Sequence, residues 1–398
     1  MKIAVIGGAG VRTVIFINGL LRRYKKLNID EVSLFDINKE KLDIIGKLCM
    51  YVVEREKKDL RIPLCDTCEG AVAGTDYIVT TLRVGGDHSR VQDERAALNA
   101  GVIGQETTGA GGFSMAARTI PVLLDYCRIF QKYAPDAWIF NFSNTSGLVT
   151  QALTQAGYDK VIGICDAPSA TKFRMAERLG VEEDELYVEF FGLNHLSWIS
   201  SVKKKGKEIL SELVNDEIFL DSMQEFKTMD PEAIRSSKML PNEYLYYYYH
   251  REKALEHILN SENTRGEAIE KINQQMMKEL SGMDINADPE EALQTFLYYM
   301  QVRENYMSVE SGVSVRPLLE KGKLPVPEGM GYAGVMLDCI EGMQSEEGKY
   351  LVLCIKNQGS LNFLDNDDIV EVTCKVSSRG IEPVKFGKIP LYCENLIR

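Results

Sequence analysis

The first 36 residues constrain the fold more than any other segment. Residues 2–6, Lys-Ile-Ala-Val-Ile, are a short apolar, β-prone run that meets Gly7-Gly8-Ala9-Gly10. A helical pattern from Val14 to Tyr24 follows, and Glu31-Val-Ser-Leu-Phe-Asp36 reads as a second strand ending in an acid. This is a βαβ unit. Glycines at a strand-to-helix turn let the backbone approach a pyrophosphate, and the helix N-terminus adds free N–H groups and partial positive charge. Gly7, Gly8 and Gly10 suit that role, although Thr13 stands where a third glycine is usual. Asp36 would accept hydrogen bonds from an adenosine ribose and repel a 2′-phosphate, which favours NAD over NADP. The alternative is a Rossmann-like fold that binds no nucleotide.

The alternation continues. Strand-like runs at 77–82, 138–142 and 161–164 are separated by helical patterns near 116–133 and 146–157. Repeated βα units call for a parallel sheet covered by helices. After about residue 190 the character changes to helical stretches (233–259, 265–282, 289–308) and late strand-like runs at 350–355 and 369–376. The expected class is α/β: a Rossmann-type doubly wound sheet over 1–190, with a second α+β domain over 191–398. At 398 residues the chain has room for two domains.

Composition excludes several function classes. A net charge of −12 argues against a nucleic-acid partner, which needs a basic face, but leaves room for an anionic small substrate met by a few gathered arginines. No apolar run approaches the ~20 residues of a membrane span, and the start is not a signal peptide. Nine irregularly spaced cysteines fit free thiols in a reducing cytoplasm, and the Cys65–Cys68 pair stands alone, which favours two thiols at a turn over zinc.

Four glycine- or polar-rich segments fall at the expected C-terminal ends of strands, where such folds place ligands. They are Arg83-Val-Gly-Gly86 with Arg90 to Arg95, Gly101 to Gly112 (Gly-Val-Ile-Gly-Gln-Glu-Thr-Thr-Gly-Ala-Gly-Gly), Asn141-Phe-Ser-Asn144 and Gly163-Ile-Cys-Asp-Ala-Pro168. A fifth, Phe191-Gly-Leu-Asn-His195, opens the second half. Cys165 and His195 read either as a soft metal pair or as a buried cysteine and a structural histidine, and residue type alone favours the latter. Tyr244 lies in a run of tyrosines that would ordinarily be packing. Arg265 near a helix start would ordinarily be a surface charge, and Arg90 could pair with Asp93 or Glu94.

Several of these segments, in this order, resemble glycoside hydrolase family 4, the NAD- and metal-dependent 6-phospho-glycosidases. The likeness rests on the segments at 102–112, 141–144, 163–168 and 191–195. It continues in Leu-Pro-Asn-Glu-Tyr-Leu-Tyr-Tyr-Tyr-Tyr (240–249), Asn-Thr-Arg-Gly-Glu (263–267) and residues 357–372. The resemblance implies NAD and Mn²⁺ or another divalent metal, with Cys165 and His195 as metal ligands. It implies Tyr244 as catalytic base and Asp166 at the position that supplies an acid in α-specific members. It places Arg90, Asn144, Asn194 and Arg265 on the substrate, the arginines near the sugar phosphate, and Glu106 beside the nicotinamide and metal. The implied reaction is oxidation at C3, removal of the C2 proton, elimination at C1, addition of water and return of hydride. This family is an exception to the two-carboxylate rule of glycosidases.

The chain departs from the family at Gly10-Val11-Arg12, where Ser-Thr hydroxyls are usual, at Thr145, where proline is usual, and in stopping short of the usual C-terminal helix. The expected substrate is a phosphorylated disaccharide or glucoside of the β anomer. The α anomer is the runner-up because of Asp166, and a 2-hydroxy-acid dehydrogenase or a nucleotide sensor is a more distant alternative. A homodimer or homotetramer without nucleic-acid or membrane partners is expected.

Overall fold

The computed structural model describes residues 1–307, 317–326 and 331–398. Six parallel strands form the first part of the main sheet. They are β1 (Lys2–Ile6), β2 (Glu31–Phe35), β3 (Leu64–Cys65), β4 (Tyr77–Thr80), β5 (Trp138–Asn141) and β6 (Val161–Gly163), ordered β3-β2-β1-β4-β5-β6. Strand residues alternate between two apolar layers: Ala4 and Ile6 pack with Leu123 and Phe130 on one face, while Ile3 and Val5 pack with Ile17 and Leu20 on the other. Helices cover both faces, which is why β1 reads as a continuous apolar run. Strand order reverses between β1 and β4, and a crevice opens there beyond the strand ends.

The hairpin β7 (Leu186–Leu193) and β8 (Leu196–Lys204), with short strands β9 (Lys207–Glu208) and β10 (Leu240–Pro241), makes a second sheet. The two late strand-like runs form as β11 (Lys349–Lys356) and β12 (Ile369–Ser377), followed by β13 (Gly380–Pro383). They extend the first sheet to nine strands, with β11 antiparallel to β6 through Cys354 and Gly163. A Cβ on Gly163 would sit 2.7 Å from Cys354 Cβ, so the join depends on that glycine.

The helical stretch expected at 233–259 is broken into Pro231–Ser237, β10, a 3₁₀ turn at Glu243–Leu245, Tyr246–Tyr249 and Arg251–Asn260. Lys238 takes a left-handed φ of 57° and Pro241 lacks a donor, so the helix cannot run through. The stretches at 265–282 and 289–308 form as Arg265–Ser281 and Pro289–Met307, and residue 308 lies outside the described residues. Among the described residues no helix is long and apolar enough to cross a membrane.

Candidate active site

A cleft of about 2270 Å³ runs over the strand ends, from the glycine turn to the break in the tyrosine segment. At one end, Gly7 has φ 97°, and a Cβ there would lie 2.5 Å from the Thr81 carbonyl oxygen, so only glycine fits. The N–H groups of Gly7 and Gly8 donate to Phe35 O (2.9 Å each), folding the turn against β2. Gly10 N–H donates to Gly7 O (3.0 Å) and leads into the helix Thr13–Leu20. Asp36 accepts from Ala9 N (3.1 Å) and Asn38 N (2.9 Å), so it shapes the turn as well as facing the cleft. Arg12 immediately precedes the helix, and its side chain reaches across the cleft to Asp166 Oδ2 (3.1 Å).

Arginines gather in the middle of the cleft. Glu106 accepts from Arg83 Nη1 (2.7 Å) and is 3.0 Å from Arg90 Nη1. Burial would raise the Glu106 carboxyl, but the Arg83, Arg90 and Arg265 guanidinia hold it well below the usual carboxylate range. Arg90 Nε donates to Glu94 Oε1 (2.7 Å), which decides between the two partners open to it in the sequence. The other Glu94 oxygen accepts from Gly266 N (2.8 Å), fastening the start of helix Arg265–Ser281 beside Arg90. A Cβ on Gly266 would come within 2.5 Å of that oxygen.

Cys165 follows β6 and His195 sits in the β7–β8 turn with a left-handed φ of 64°. Cys165 Sγ and His195 Nε2 are 3.4 Å apart. Burial lowers the imidazole to about 4, so it is neutral, and its buried Nδ1 has no hydrogen-bond partner among the described residues. Burial, then Glu371 and Asp166, push the Cys165 thiol well up. The pair therefore fits a divalent cation, which would take the neutral imidazole and favour the thiolate. Among the described residues no cluster of three or more His, Cys, Asp or Glu could hold a metal, so two protein donors would leave positions for substrate oxygens and water. The Tyr244 ring stacks on His195, with centroids 3.7 Å apart and planes 6° from parallel. Asn242 sets that register by accepting from Tyr244 N (3.0 Å). Burial and then Glu243 push the Tyr244 phenol well above 10.

Asn144 lines the cleft; Asn194 does not. The Asn194 amide donates to Glu371 Oε1 (2.9 Å), and the same side chain hydrogen-bonds Cys165, so the structure places it against the Cys165–His195 pair. Three further residues at this site went unremarked in the sequence. Glu371, on β12, also accepts from Ser197 Oγ (3.2 Å), and burial raises it to about 7. It stands inside the 357–372 motif, so that motif was the available signal. Arg303 lines the cleft and donates to Asn273 Oδ1 (3.4 Å); burial, then Arg12 and Arg83, lower it to about 9. Glu243 lines the cleft beside Tyr244.

Family 4 glycosyl hydrolase matches residues 2–181, and the family 4 C-terminal domain matches residues 190–398. The chain belongs to glycosyl hydrolase family 4. A probable 6-phospho-beta-glucosidase of Bacillus subtilis (strain 168) is 30% identical, over 100% of this chain and 85% of that protein. A 6-phospho-alpha-glucosidase of Leptotrichia buccalis is 28% identical, over 100% of this chain and 86% of that one. The 6-phospho-beta glucosidase of Thermotoga maritima, solved with manganese, NAD+ and glucose-6-phosphate, superposes with a TM-score of 0.81 at 29% identity, covering 100% of this chain and 86% of that chain. This family 4 chain thus keeps the Rossmann architecture expected from its first 36 residues, with strand order reversing at the crevice that holds Cys165 and His195.

Proposed function

We propose that this family 4 chain hydrolyses 6-phospho-β-glucosides with NAD and a divalent metal such as Mn²⁺. The observation that carries the reading is the Tyr244 ring stacked on His195, beside Cys165. The glycine turn with Asp36 would hold NAD, and Cys165 with His195 would hold the metal. When bound, NAD supplies a hydride acceptor and donor for C3, and the cation supplies positive charge at the C2 and C3 oxygens.

Tyr244 takes the C2 proton once C3 is a ketone. Its phenol, raised by burial, needs the cation's charge to act as a base near neutral pH. Arg90 and Arg265 orient the sugar through its 6-phosphate, with Arg83 and Arg303 adding to the same positive field. Asn144 contacts the sugar, and Glu106 holds the arginines in register. Residues 1–190 form the NAD-binding domain, and residues 191–398 supply His195, Tyr244 and Arg265. The chain works in the cytoplasm as a homodimer or homotetramer.

Asp166 on the cleft wall favours a second reading, a 6-phospho-α-glucosidase with Asp166 as acid. Chromogenic α- and β-glucoside 6-phosphates, assayed with NAD and Mn²⁺, test both. Release from the β substrate, lost on chelation and without net accumulation of NADH, is expected. Faster release from the α substrate would favour the second reading. No release from any phosphorylated glucoside, or activity indifferent to chelation, would overturn both, and net NADH formation would point to a dehydrogenase.

A further inference from the structure

Of the carboxylates lining the cleft, Glu106 and Asp166 face His195 directly, while Glu243 adjoins the Tyr244 ring that stacks on it. Asp166 is engaged by Arg12 across the cleft, at 3.1 Å. Glu243 precedes Tyr244 in the 3₁₀ turn and, among the described residues, its carboxyl makes no hydrogen bond or ion pair. The charged groups that face it are Glu225, Arg174, Asp166 and Arg265, with the Tyr244 phenol next in the chain. Arg174, whose charge acts on Glu243 more strongly than that of Arg265, is committed to Glu225 through both Nε and Nη2. Glu225 is 1% exposed and directs like charge at Glu243.

Glu243 is thus a half-buried carboxyl with an open hydrogen-bonding position, on the wall of the reaction cleft and one residue from the base. Asp166 and Arg265 are both among the charges that face it. We propose that Glu243 is the general acid that protonates the departing aglycone oxygen. This inference rests on the family 4 reading of the same site.

The step balances without a further reactant. After Tyr244 takes the C2 proton, the electrons of that bond form C1=C2, and the C1–O bond breaks with its pair going to the aglycone oxygen. The Glu243 O–H proton goes to that oxygen, leaving a carboxylate. Water then adds: its oxygen bonds C1, its proton returns to Glu243, and the Tyr244 proton returns to C2. The sum is hydrolysis, with both side chains restored. Burial, and next the Glu225 charge, raise Glu243 to about 7, so it carries the needed proton at neutral pH.

The test compares leaving groups in the intact enzyme with NAD and Mn²⁺. A p-nitrophenolate leaves without help, whereas methoxide does not. In Glu243→Gln, kcat/KM for the methyl β-glucoside 6-phosphate should fall about 10²–10⁴-fold, while that for the p-nitrophenyl β-glucoside 6-phosphate stays within ~3-fold of wild type. Equal losses on both substrates, or none on either, would overturn the proposal. A second measurement uses wild type alone and does not depend on the variant folding. Activity on the methyl substrate should decline above about pH 7 while that on the p-nitrophenyl substrate does not, and identical alkaline limbs would overturn the assignment. Wild type inert on both substrates would instead overturn the family 4 substrate reading itself.

Discussion

Tyr244 owes its place to two neighbours rather than to the tyrosines around it. Asn242 accepts its backbone N–H, and the His195 ring lies flat against its own. Tyr248 and Tyr249 are exposed, and Tyr246 is buried in packing, so chemistry and packing divide along one run of aromatics. Sequence distinguished Tyr244 only by its register after Leu240-Pro-Asn, because composition alone cannot say which tyrosine meets a histidine 49 residues away. The Arg12–Asp166 pair was illegible for the same reason: 154 residues separate the partners, and only the sheet brings their turns together. If Tyr244 is the base, Tyr244→Phe keeps the ring on His195 and removes only the proton acceptor. Turnover should drop by about 10²–10⁴-fold while NAD affinity, followed by fluorescence titration, changes little. A variant with near-normal turnover would remove Tyr244 from the mechanism.

At the scale of elements, short motifs work by fastening one helix or turn to another. Glu94 joins helix Gly86–Asn99, through Arg90, to the first turn of helix Arg265–Ser281, through Gly266 N. Thr264 and Glu267 close that second helix with a capping box, which leaves Arg265 at its mouth. The Asn-Thr-Arg-Gly-Glu motif is therefore a helix start built to meet a carboxylate, and Gly266 is small because Glu94 occupies the space. Gly266→Ala should push the two helices apart, costing about 1–3 kcal/mol of stability and weakening the grip on a phosphorylated sugar more than on its unphosphorylated analogue. Thermal melts and KM for the two substrates check this; an unchanged melting temperature and KM would show that the Glu94 contact is dispensable. The βα units were legible because their periodicity is local. The docking of β11 on β6 was not, since it depends on one close approach at Gly163 between segments almost 190 residues apart.

Across the whole molecule, the net charge of −12 coexists with a cleft in which Arg83, Arg90, Arg265 and Arg303 converge, so an anionic ligand is met by a local field opposite to the protein's own. That convergence, and the carboxyls buried around it, tie stability to pH. Glu371 is 1% exposed on β12 and ionises near 7 in the fold, against 4.5 in an unconstrained chain. Its folded value is raised, so its contribution to stability is fully present below pH 4.5 and is lost as pH rises through about 7. His195 has the opposite sign: its folded value is depressed to about 4, so its contribution is present above 6.5 and is lost as pH falls toward 4. The alkaline loss should therefore belong to the buried carboxyls and the acid loss to the histidine. Urea unfolding of chelator-treated protein at pH 5 and pH 8 separates them. Wild type should lose more stability over that interval than Glu371→Gln, by on the order of 3 kcal/mol. A divalent cation on Cys165 and His195 would favour the ionised carboxylate nearby, so adding Mn²⁺ should shrink the alkaline loss more in wild type than in the variant. Parallel pH curves for the two proteins would mean that Glu371 is ionised throughout, and that the Asn194 and Ser197 hydrogen bonds outweigh its burial.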